Sequence, residues 1–508
     1  MSRETWDLRP AQRFFITLAS VLATTLMAID ITIASVALPQ IQGTMSATAD
    51  QVSWILTSYV MALAVTTPVV GPLAERFGRK RIFLLAVASF TAASVLCGAV
   101  WSLELMVLFR LLQGLAAAAL VPIAQAVLMD AYPQERQGEA MAWWSIGVMV
   151  GPIIGPLVGG WLTDEISWRW IFFINLPFGV LAYLCIVVFL PDKQAPAVRR
   201  FDRVGFLTLA VAIASLQFVF DRGEREDWFE STLIVTLALL SAGALWAFVA
   251  HSRYAAEPFL PRALFRDRNF VACLLLTFVT SGIFYANLSM YAPMLQSVLG
   301  YPARETGLML APRGVGVLLG VAGTSVLRRW IGDRMLIAAG LGGASASIWA
   351  VTGFSLEVGV STIVKVGFVQ GFFYGVMFAP LTTATFATLA PALRTDGASL
   401  VQLVRQLSGG IGIALGFAIL IRRTEGGVLE LAARLQADAP AWQRALGAAG
   451  DASTALLQSE IHRQAAMLAY LDVVALMSVA LVAVLPLLGT LQAGRGRPAA
   501  PADPGLAG

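Results

Sequence analysis

Charged side chains are scarce in this sequence. They make up 13% of its 508 residues, and 58% are hydrophobic, whereas about 25% charged residues is usual for a soluble domain. The apolar residues come in blocks of about twenty or more, the length that a helix needs to cross a bilayer. This pattern excludes a soluble enzyme of ordinary composition. It indicates an all-α integral membrane protein with many spans.

Cysteine and histidine, which commonly bind metals, are also few. Cys97, Cys185 and Cys273 lie inside apolar runs, where packing is the usual role of a free cysteine. The two histidines, His251 and His462, have no partner at metal-ligand spacing. The glycine clusters lie inside apolar runs instead of after a strand, which excludes a nucleotide-binding loop. We therefore expect no enzyme, no metal and no cofactor, and basic residues confined to loops do not predict nucleic-acid binding.

The apolar runs predict fourteen membrane spans in the pattern six, two, six. No small-residue cleavage site follows the first run, so we expect it to be the first helix and not a removed signal peptide. The predicted spans are 14–38, 52–72, 81–101, 104–129, 138–161, 170–190, 203–220, 231–250, 268–296, 306–327, 335–353, 360–388, 398–422 and 468–490.

Loops rich in Pro and Arg mark the predicted domain boundaries. Residues 1–191 are expected to form one six-helix bundle, 192–267 a two-helix insert with its flanking loops, and 268–492 a second six-helix bundle. The second bundle contains a long outside loop, 423–467, whose weakly amphipathic pattern is compatible with short helices. We expect the tail 493–508 to be disordered.

The distribution of basic residues predicts the orientation. Most Lys and Arg residues fall in loops on one side, whereas the short loops on the other side hold only Arg169, Arg222, Arg225 and Arg304. By the positive-inside rule, both termini should be cytoplasmic.

One carboxylate, Asp30, lies inside the first apolar run. A charge at that depth costs on the order of 3 kcal/mol or more, so it should face a partner or a polar cavity. Arg110 of the fourth span lies at a similar depth, counted at about 1.5 Å per residue. We expect the two side chains to pair. A structural ion pair and a proton-coupling site both remain open at this point.

The segment GPLAERFGRKRIFL, residues 71–84, joins the second and third spans. Gly71 and Gly78 allow a tight turn, and four basic residues follow or surround one acid, Glu75. An acid at this position can lie at a helix N-terminus of the opposite half, where the helix dipole favours it. The segment predicts a cytoplasmic gate formed by Gly71, Glu75, Arg76, Gly78, Arg79 and Lys80.

The fifth span reads GVMVGPIIGPLVGGWL. Glycines at four-residue spacing share one helix face, which lets a neighbouring helix approach closely, and prolines remove backbone donors and bend a helix. The residues concerned are Gly147, Gly151, Pro152, Gly155, Pro156 and Gly159.

These motifs resemble those of the major facilitator superfamily. The 71–84 segment is similar to its signature loop, with Glu75 where the family mostly has Asp. The first span resembles the family's first-helix motif at Asp30, and Arg110, Gln113 and Gly114 match its fourth-helix motif. The glycine and proline pattern of the fifth span is typical of its proton-coupled exporters. WRWIFFINLPFG at 168–179 and RQLSGGIGIALG at 405–416 resemble the fourteen-helix drug:proton antiporters of the EmrB/QacA type.

The resemblance implies a fold, an activity and partners. It implies two six-helix bundles with alternating access, and export of lipophilic drugs or toxic compounds across the cytoplasmic (inner) membrane. Asp30 and Arg110 would couple export to protons, with no cofactor beyond the proton gradient. The other implied partners are membrane lipids, a periplasmic adaptor and an outer-membrane channel.

The cargo cavity is less well marked in the sequence. Helices rich in Phe, Tyr and Met could hold varied apolar cargo. Some relatives carry extra carboxylates in the tenth and thirteenth spans for dicationic drugs, whereas this chain has Arg313 and Arg405 in those spans. This argues against a specialist for dications and is compatible with neutral or anionic cargo. The residues that could line the cavity are Gln113, Phe284, Tyr285, Phe373, Met377 and Arg405.

Three other functions remain open. A dedicated exporter of an endogenous metabolite, such as a siderophore or fatty acid, would share the fold and the coupling. A membrane sensor would not need this whole set of motifs. An uptake symporter is disfavoured by the pattern of the fifth span.

Overall fold

The computed structural model describes residues 8–133, 136–192, 201–223, 226–328, 330–390, 393–437 and 451–491. The expected disorder of the tail 493–508 lies outside these residues.

Fourteen long helices, α1 to α14, dominate the described part of the chain. Two of them are irregular: α2 passes through a 3-10 turn at Thr67–Val69, where Pro68 cannot donate a backbone hydrogen bond, and α9 ends in a π turn at Met294–Val298. The helices are α1 (Pro10–Thr44), α2 (Ala49–Thr66, continued by Val70–Phe77), α3 (Arg79–Ala99), α4 (Leu103–Ala131), α5 (Gln137–Glu165), α6 (Asn175–Phe189, preceded by the short helix Trp170–Phe173), α7 (Arg203–Arg222), α8 (Thr232–Tyr254), α9 (Arg268–Pro293), α10 (Ala303–Leu327), α11 (Asp333–Ala350), α12 (Val360–Ala387), α13 (Arg394–Ala437) and α14 (Asp451–Ala483).

The helices confirm the predicted all-α membrane fold. Among the described residues, 13 helices are long and apolar enough to cross a membrane. The remaining predicted span, 138–161, corresponds to α5, which completes the fourteen. Many large apolar side chains stay exposed on the outer faces, as expected for a surface in contact with lipid; Trp246 and Leu239 of α8 are 74% and 68% exposed.

Two helices extend well beyond their predicted spans. α13 continues past residue 422 to Ala437, and α14 begins at Asp451 instead of near residue 468. Both extensions fall in the segment 423–467 that we expected to be a long loop. Leu, Ala, Glu, Arg and Gln, all good helix formers, dominate these extensions, so the helices do not stop where the apolar run stops. The two extensions stay in contact, since Gly427 packs against Ala465.

The two six-helix halves repeat the same packing. In the first half α1 packs on α5, α2 on α4, and α3 on α6. In the second half α9 packs on α13, α10 on α12, and α11 on α14. Each pair recurs eight helices later, which is the arrangement expected of parallel repeats.

The inserted helices α7 and α8 pack on each other, and α7 also packs on α2 and α13. The contact with α2 is partly polar. Thr57 of α2 donates a hydrogen bond to Asp221 of α7, and the Arg222 guanidinium lies 4.7 Å from the centre of the Trp54 ring. The insert therefore lies beside the junction of the two halves.

Candidate functional site

The centre of the first half holds a buried ion pair. Asp30 of α1 and Arg110 of α4 are both 0% exposed. The Nη1 atom of Arg110 lies 2.5 Å from the Oδ2 atom of Asp30. The structure thus brings together the two charges that the sequence placed at matching depth, and each provides the counter-charge that makes the other tolerable in the membrane.

Two amides complete the environment of the carboxylate. Gln113, one turn from Arg110 on α4, donates from Nε2 to Asp30 Oδ1 at 2.8 Å and accepts from Arg110 Nη1 at 2.8 Å. Asn175, in the first turn of α6, donates to Asp30 Oδ1 at 3.3 Å and to Ser94 of α3 at 2.9 Å. The α1 carboxylate thus has partners from α4 and α6, and Ser94 links the cluster to α3.

Asn175 was not singled out from the sequence. Its signal was available, because it is a lone amide inside the apolar stretch WIFFINLPFG, where an unpaired polar group is costly. Sequence alone could not show that this amide reaches Asp30, since the two residues are 145 positions apart.

The guanidinium of Arg110 is held on its other sides by α2. Its Nε atom donates to the backbone oxygen of Ile55 at 3.2 Å, and the Tyr59 ring centre lies 4.1 Å away, a cation–π contact. Within the described residues its Nη2 atom has no hydrogen-bond partner.

The glycines of α5 hold that helix against α1 on both sides of Asp30. A Cβ atom on Gly151 would lie 2.5 Å from the Cβ atom of Ala28, and one on Gly159 would lie 2.6 Å from Cγ1 of Ile33. A Cβ atom on Gly155 would overlap the hydroxyl of Thr32. The spacing of the glycines thus serves close helix packing at the level of the ion pair.

The remaining glycine of this pattern agrees with that packing. Gly147 faces Val21, with 3.0 Å between a Cβ atom built on it and the Val21 backbone oxygen. Pro152 and Pro156 lie inside α5, and their side chains fall outside the described part of the structure.

The predicted gate segment lies at the side of the protein that carries the basic loops, here called the basic side. Gly78 has φ 89°, a conformation that favours glycine, and it forms the turn between α2 and α3. A Cβ atom on Gly71 would overlap the carboxylate of Asp396, which lies in the first turn of α13. Gly71 therefore allows α2 to meet a helix N-terminus of the opposite half.

The predicted gate segment forms an ion pair with an acid that the sequence analysis missed. Arg79 pairs with Asp130 at the end of α4, and Arg394, at the start of α13 in the other half, lies 3.5 Å from the same carboxylate. Lys80 donates to the Val187 backbone oxygen of α6 at 2.9 Å. Asp130 is thus shared between the two halves.

Glu75 and Arg76 occupy a different place from Arg79. They line a cavity of about 200 Å³ together with Phe201, Asp202 and Phe259, residues at the two ends of the inserted helix pair. Glu75 is half-buried and Arg76 is exposed. The role of Glu75 as a latch stays a prediction, and the cavity connects the gate segment to the insert.

A second contact between the halves mirrors the first. Arg328 at the end of α10 makes a bidentate ion pair with Asp333 at 2.6 and 3.0 Å. Its guanidinium also occupies the space of a Cβ atom on Gly138, at the start of α5. The contacts α2 to α13 and α10 to α5 are related by the internal repeat, and both lie on the basic side.

Four of the residues predicted to line the cargo cavity lie around one small cavity, and its role in binding cargo stays a prediction. Phe284 and Tyr285 of α9, Met377 of α12 and Arg405 of α13 surround a small cavity in the second half. Gln113 belongs instead to the Asp30 cluster, and Phe373 packs against Gly343 of α11. Phe373 and its neighbour Tyr374 lie on different faces of α12, and Tyr374 lines the cavity.

Comparison with known proteins indicates the same family that the sequence motifs resemble. The pattern of the Major Facilitator Superfamily matches residues 20–413. The chain is 34% identical to the multidrug export protein EmrB of Haemophilus influenzae over 79% of each chain. It is 33% identical to the fatty acid resistance protein FarB of Neisseria gonorrhoeae over 82% of each chain. The solved structure of the human organic anion transporter MFSD10 shares the fold at 13% identity, with a TM-score of 0.59 over 94% of this chain and 100% of that one.

The relatives confirm the predicted fourteen-helix EmrB-type branch and a multi-pass location in the inner membrane. The chain belongs to the major facilitator superfamily.

Proposed function

We propose that this protein is a proton-coupled exporter of lipophilic drugs or toxic compounds, working by alternating access between its two halves. The observation that carries the proposal is the Asp30 carboxylate. It is fully buried, held by Arg110, Gln113 and Asn175, and packed where α1 meets the glycine face of α5. A buried carboxylate where the helices of the first half meet is the kind of group that proton-coupled transport requires.

Protonation of Asp30 would change the packing of its half. The charged form attracts the Arg110 guanidinium, and the neutral form does not, so proton binding frees the arginine to move toward water or cargo. Because α1 and α5 are in close contact at this level, a shift of Asp30 is passed to α5, which contacts α10 of the other half. Asp130 and Gly71 would then hold or release the basic side of the interface.

The activity is transport, with no covalent chemistry and no cofactor beyond the proton gradient. The names of the relatives support export of small molecules. A periplasmic adaptor and an outer-membrane channel are proposed as partners, and co-purification from membranes tests them. A dedicated exporter of one endogenous metabolite, such as a fatty acid, is the alternative, and the similarity to FarB favours it as the second candidate.

The test is efflux of a neutral lipophilic dye from cells, with and without an uncoupler of the proton gradient. We expect uncoupler-sensitive efflux by the native chain and none by Asp30→Asn at equal amounts in the membrane. The matched control is Asp472→Asn, since Asp472 is a membrane-helix carboxylate whose side chain is 54% exposed and pairs with Arg423 at 3.7 Å. Normal efflux by Asp30→Asn would refute the proton-coupling role.

A further inference from the structure

The second half contains two buried arginines that have no acidic partner. Arg313 of α10 and Arg405 of α13 are each 5% exposed. In the part of the chain that the structure describes, neither guanidinium forms an ion pair, whereas Arg110 in the first half is paired with Asp30. Burying a charge without a counter-charge costs free energy, so the presence of two such arginines needs an explanation.

Both guanidinium groups keep open hydrogen-bond donors. Arg313 donates from Nη2 to Asn287 at 2.8 Å, and its Nη1 atom has no acceptor among the described residues. Arg405 makes one long contact, 3.5 Å from Nη1 to Gln402, and its Nε atom has no acceptor there either. Their donors are therefore available to an external acceptor.

One pair of aromatic rings lies near both arginines. Phe284 and Tyr374 pack edge to face, with 5.0 Å between ring centres. Both line the small cavity beside Arg405, and the guanidinium of Arg313 lies 5.7 Å from the Phe284 ring centre. The buried hydroxyl of Tyr374 also has no partner in the described structure. The surroundings thus combine apolar rings, an open hydroxyl and two positive charges.

The opposite half covers Arg405. Trp144 of α5 stacks on Phe378 of α12 with 6.0 Å between ring centres, and the Arg405 guanidinium lies 5.3 Å from the Trp144 ring and 4.8 Å from the Phe378 ring. The cavity itself is only about 20 Å³, room for about one water molecule. Separation of α5 from α12 would therefore both uncover Arg405 and enlarge the cavity.

We propose that the cargo is an amphipathic organic anion. Its oxyanion headgroup would bind Arg405, which lines the cavity, and its apolar body would pack on Phe284, Met377 and Phe378. The positive charge of Arg313, beside the Phe284 ring, would add to the attraction. A guanidinium suits this role because it is always charged and offers two parallel donors to a carboxylate. The proposal rests on the proposed export function and narrows it, because a cation would be repelled by the two arginines.

The test is binding to the purified full chain in lipid nanodiscs, with empty nanodiscs as background. The probes are laurate, dodecanol and dodecyltrimethylammonium, which share a twelve-carbon chain and differ in headgroup charge, competing with radiolabelled laurate at pH 8. We expect laurate to bind the native chain about tenfold or more tightly than dodecanol, the usual gain from a charge-assisted hydrogen bond. Dodecyltrimethylammonium should bind most weakly. Equal binding of laurate and dodecanol would overturn the proposal without any variant.

Variants locate the site. Arg405→Gln should lose the preference for laurate over dodecanol, Arg313→Gln should reduce it, and Arg405→Lys should retain part of it. The matched control is Lys365→Gln, which removes an exposed cation from the same half. An unchanged preference in both Arg405→Gln and Arg313→Gln would contradict the assignment.

The binding assay needs no proton gradient, so it separates this inference from the proposed function. Selective laurate binding with no uncoupler-sensitive efflux would support the anion site and refute proton-coupled export. Efflux of the neutral dye with no preference for laurate would support export and refute the anion site.

Discussion

Replacing Arg110 with glutamine would leave the Asp30 carboxylate buried without a counter-charge. Removing one partner of a buried ion pair typically costs about 3–5 kcal/mol. Loss of the cation–π contact with Tyr59, 4.1 Å away, adds about 1 kcal/mol. The donors of Gln113 and Asn175 remain and limit the loss. We therefore expect Arg110→Gln to lower the free energy of unfolding by about 4 kcal/mol.

The double variant Asp30→Asn/Arg110→Gln separates charge from packing. It removes the stranded carboxylate, and the introduced asparagine can still accept a hydrogen bond from Gln113, so the double variant should be more stable than Arg110→Gln alone. With roughly 2 °C of midpoint shift per kcal/mol, the single variant should melt roughly 8 °C below the native chain, and the double variant should melt between the two.

The assay is thermal unfolding in one detergent, followed by the loss of the monodisperse peak. The matched control is the same cycle at Arg423 and Asp472, whose 3.7 Å pair is more than half exposed on both sides; exposed pairs contribute about 1 kcal/mol or less. If the effects of the two central substitutions simply add, as in the control cycle, Asp30 and Arg110 do not depend on each other energetically, and the reasoning fails.

Three further predictions concern other parts of the molecule. Gly151→Ala should reduce efflux and stability, by about 1–3 kcal/mol from overpacking, because its Cβ would lie 2.5 Å from that of a residue on α1; Gly160→Ala, with open space at the same helix, should behave as native in both assays. Asp130→Asn should weaken the closure of the basic side, because two arginines from opposite halves share this carboxylate. Binding of the dye from the basic side should then increase. The control Glu139→Gln breaks an exposed pair with Arg136 and should leave this binding unchanged. At Asp202, burial alone would raise the pKa, but hydrogen bonds from two backbone amides and an imidazole lower it overall. Its stabilising contribution is therefore complete above the ordinary aspartate pKa of about 3.9 and is lost as the pH falls through the lowered value. The melting difference between native and Asp202→Asn should persist from pH 7 to about 4 and shrink below it; a difference that shrinks near neutral pH would refute this.

Much of the fold was predictable because hydropathy is a local property. Runs of about twenty apolar residues have one stable solution in a bilayer, a helix that satisfies its own backbone. The ends of the helices were predictable only where a charged residue or a proline ends the apolar run. They were missed at α13, because Leu, Ala and Glu beyond residue 422 favour a helix in water as well as in lipid.

The central ion pair was predictable for a different reason. Two opposite charges at equal depth in the membrane have few alternatives to meeting each other, so Asp30 and Arg110 could be paired from span positions alone. The depth argument did not reach Asn175 or Asp130. An amide carries no charge to balance, and Asp130 at a helix end is tolerated in water, so neither residue demanded a partner.

The sequence by itself determined the membrane class, the number of helices, the basic loops and the buried charges, because each depends on composition within a single segment. Only the tertiary structure decided which helix faces meet. It showed that the α5 glycines fit α1, that Asp130 joins the two halves, that Phe373 faces α11, and that Arg313 and Arg405 lie near one aromatic pair. These are contacts between distant segments, and their geometry follows from the packing of all helices at once and not from any one of them.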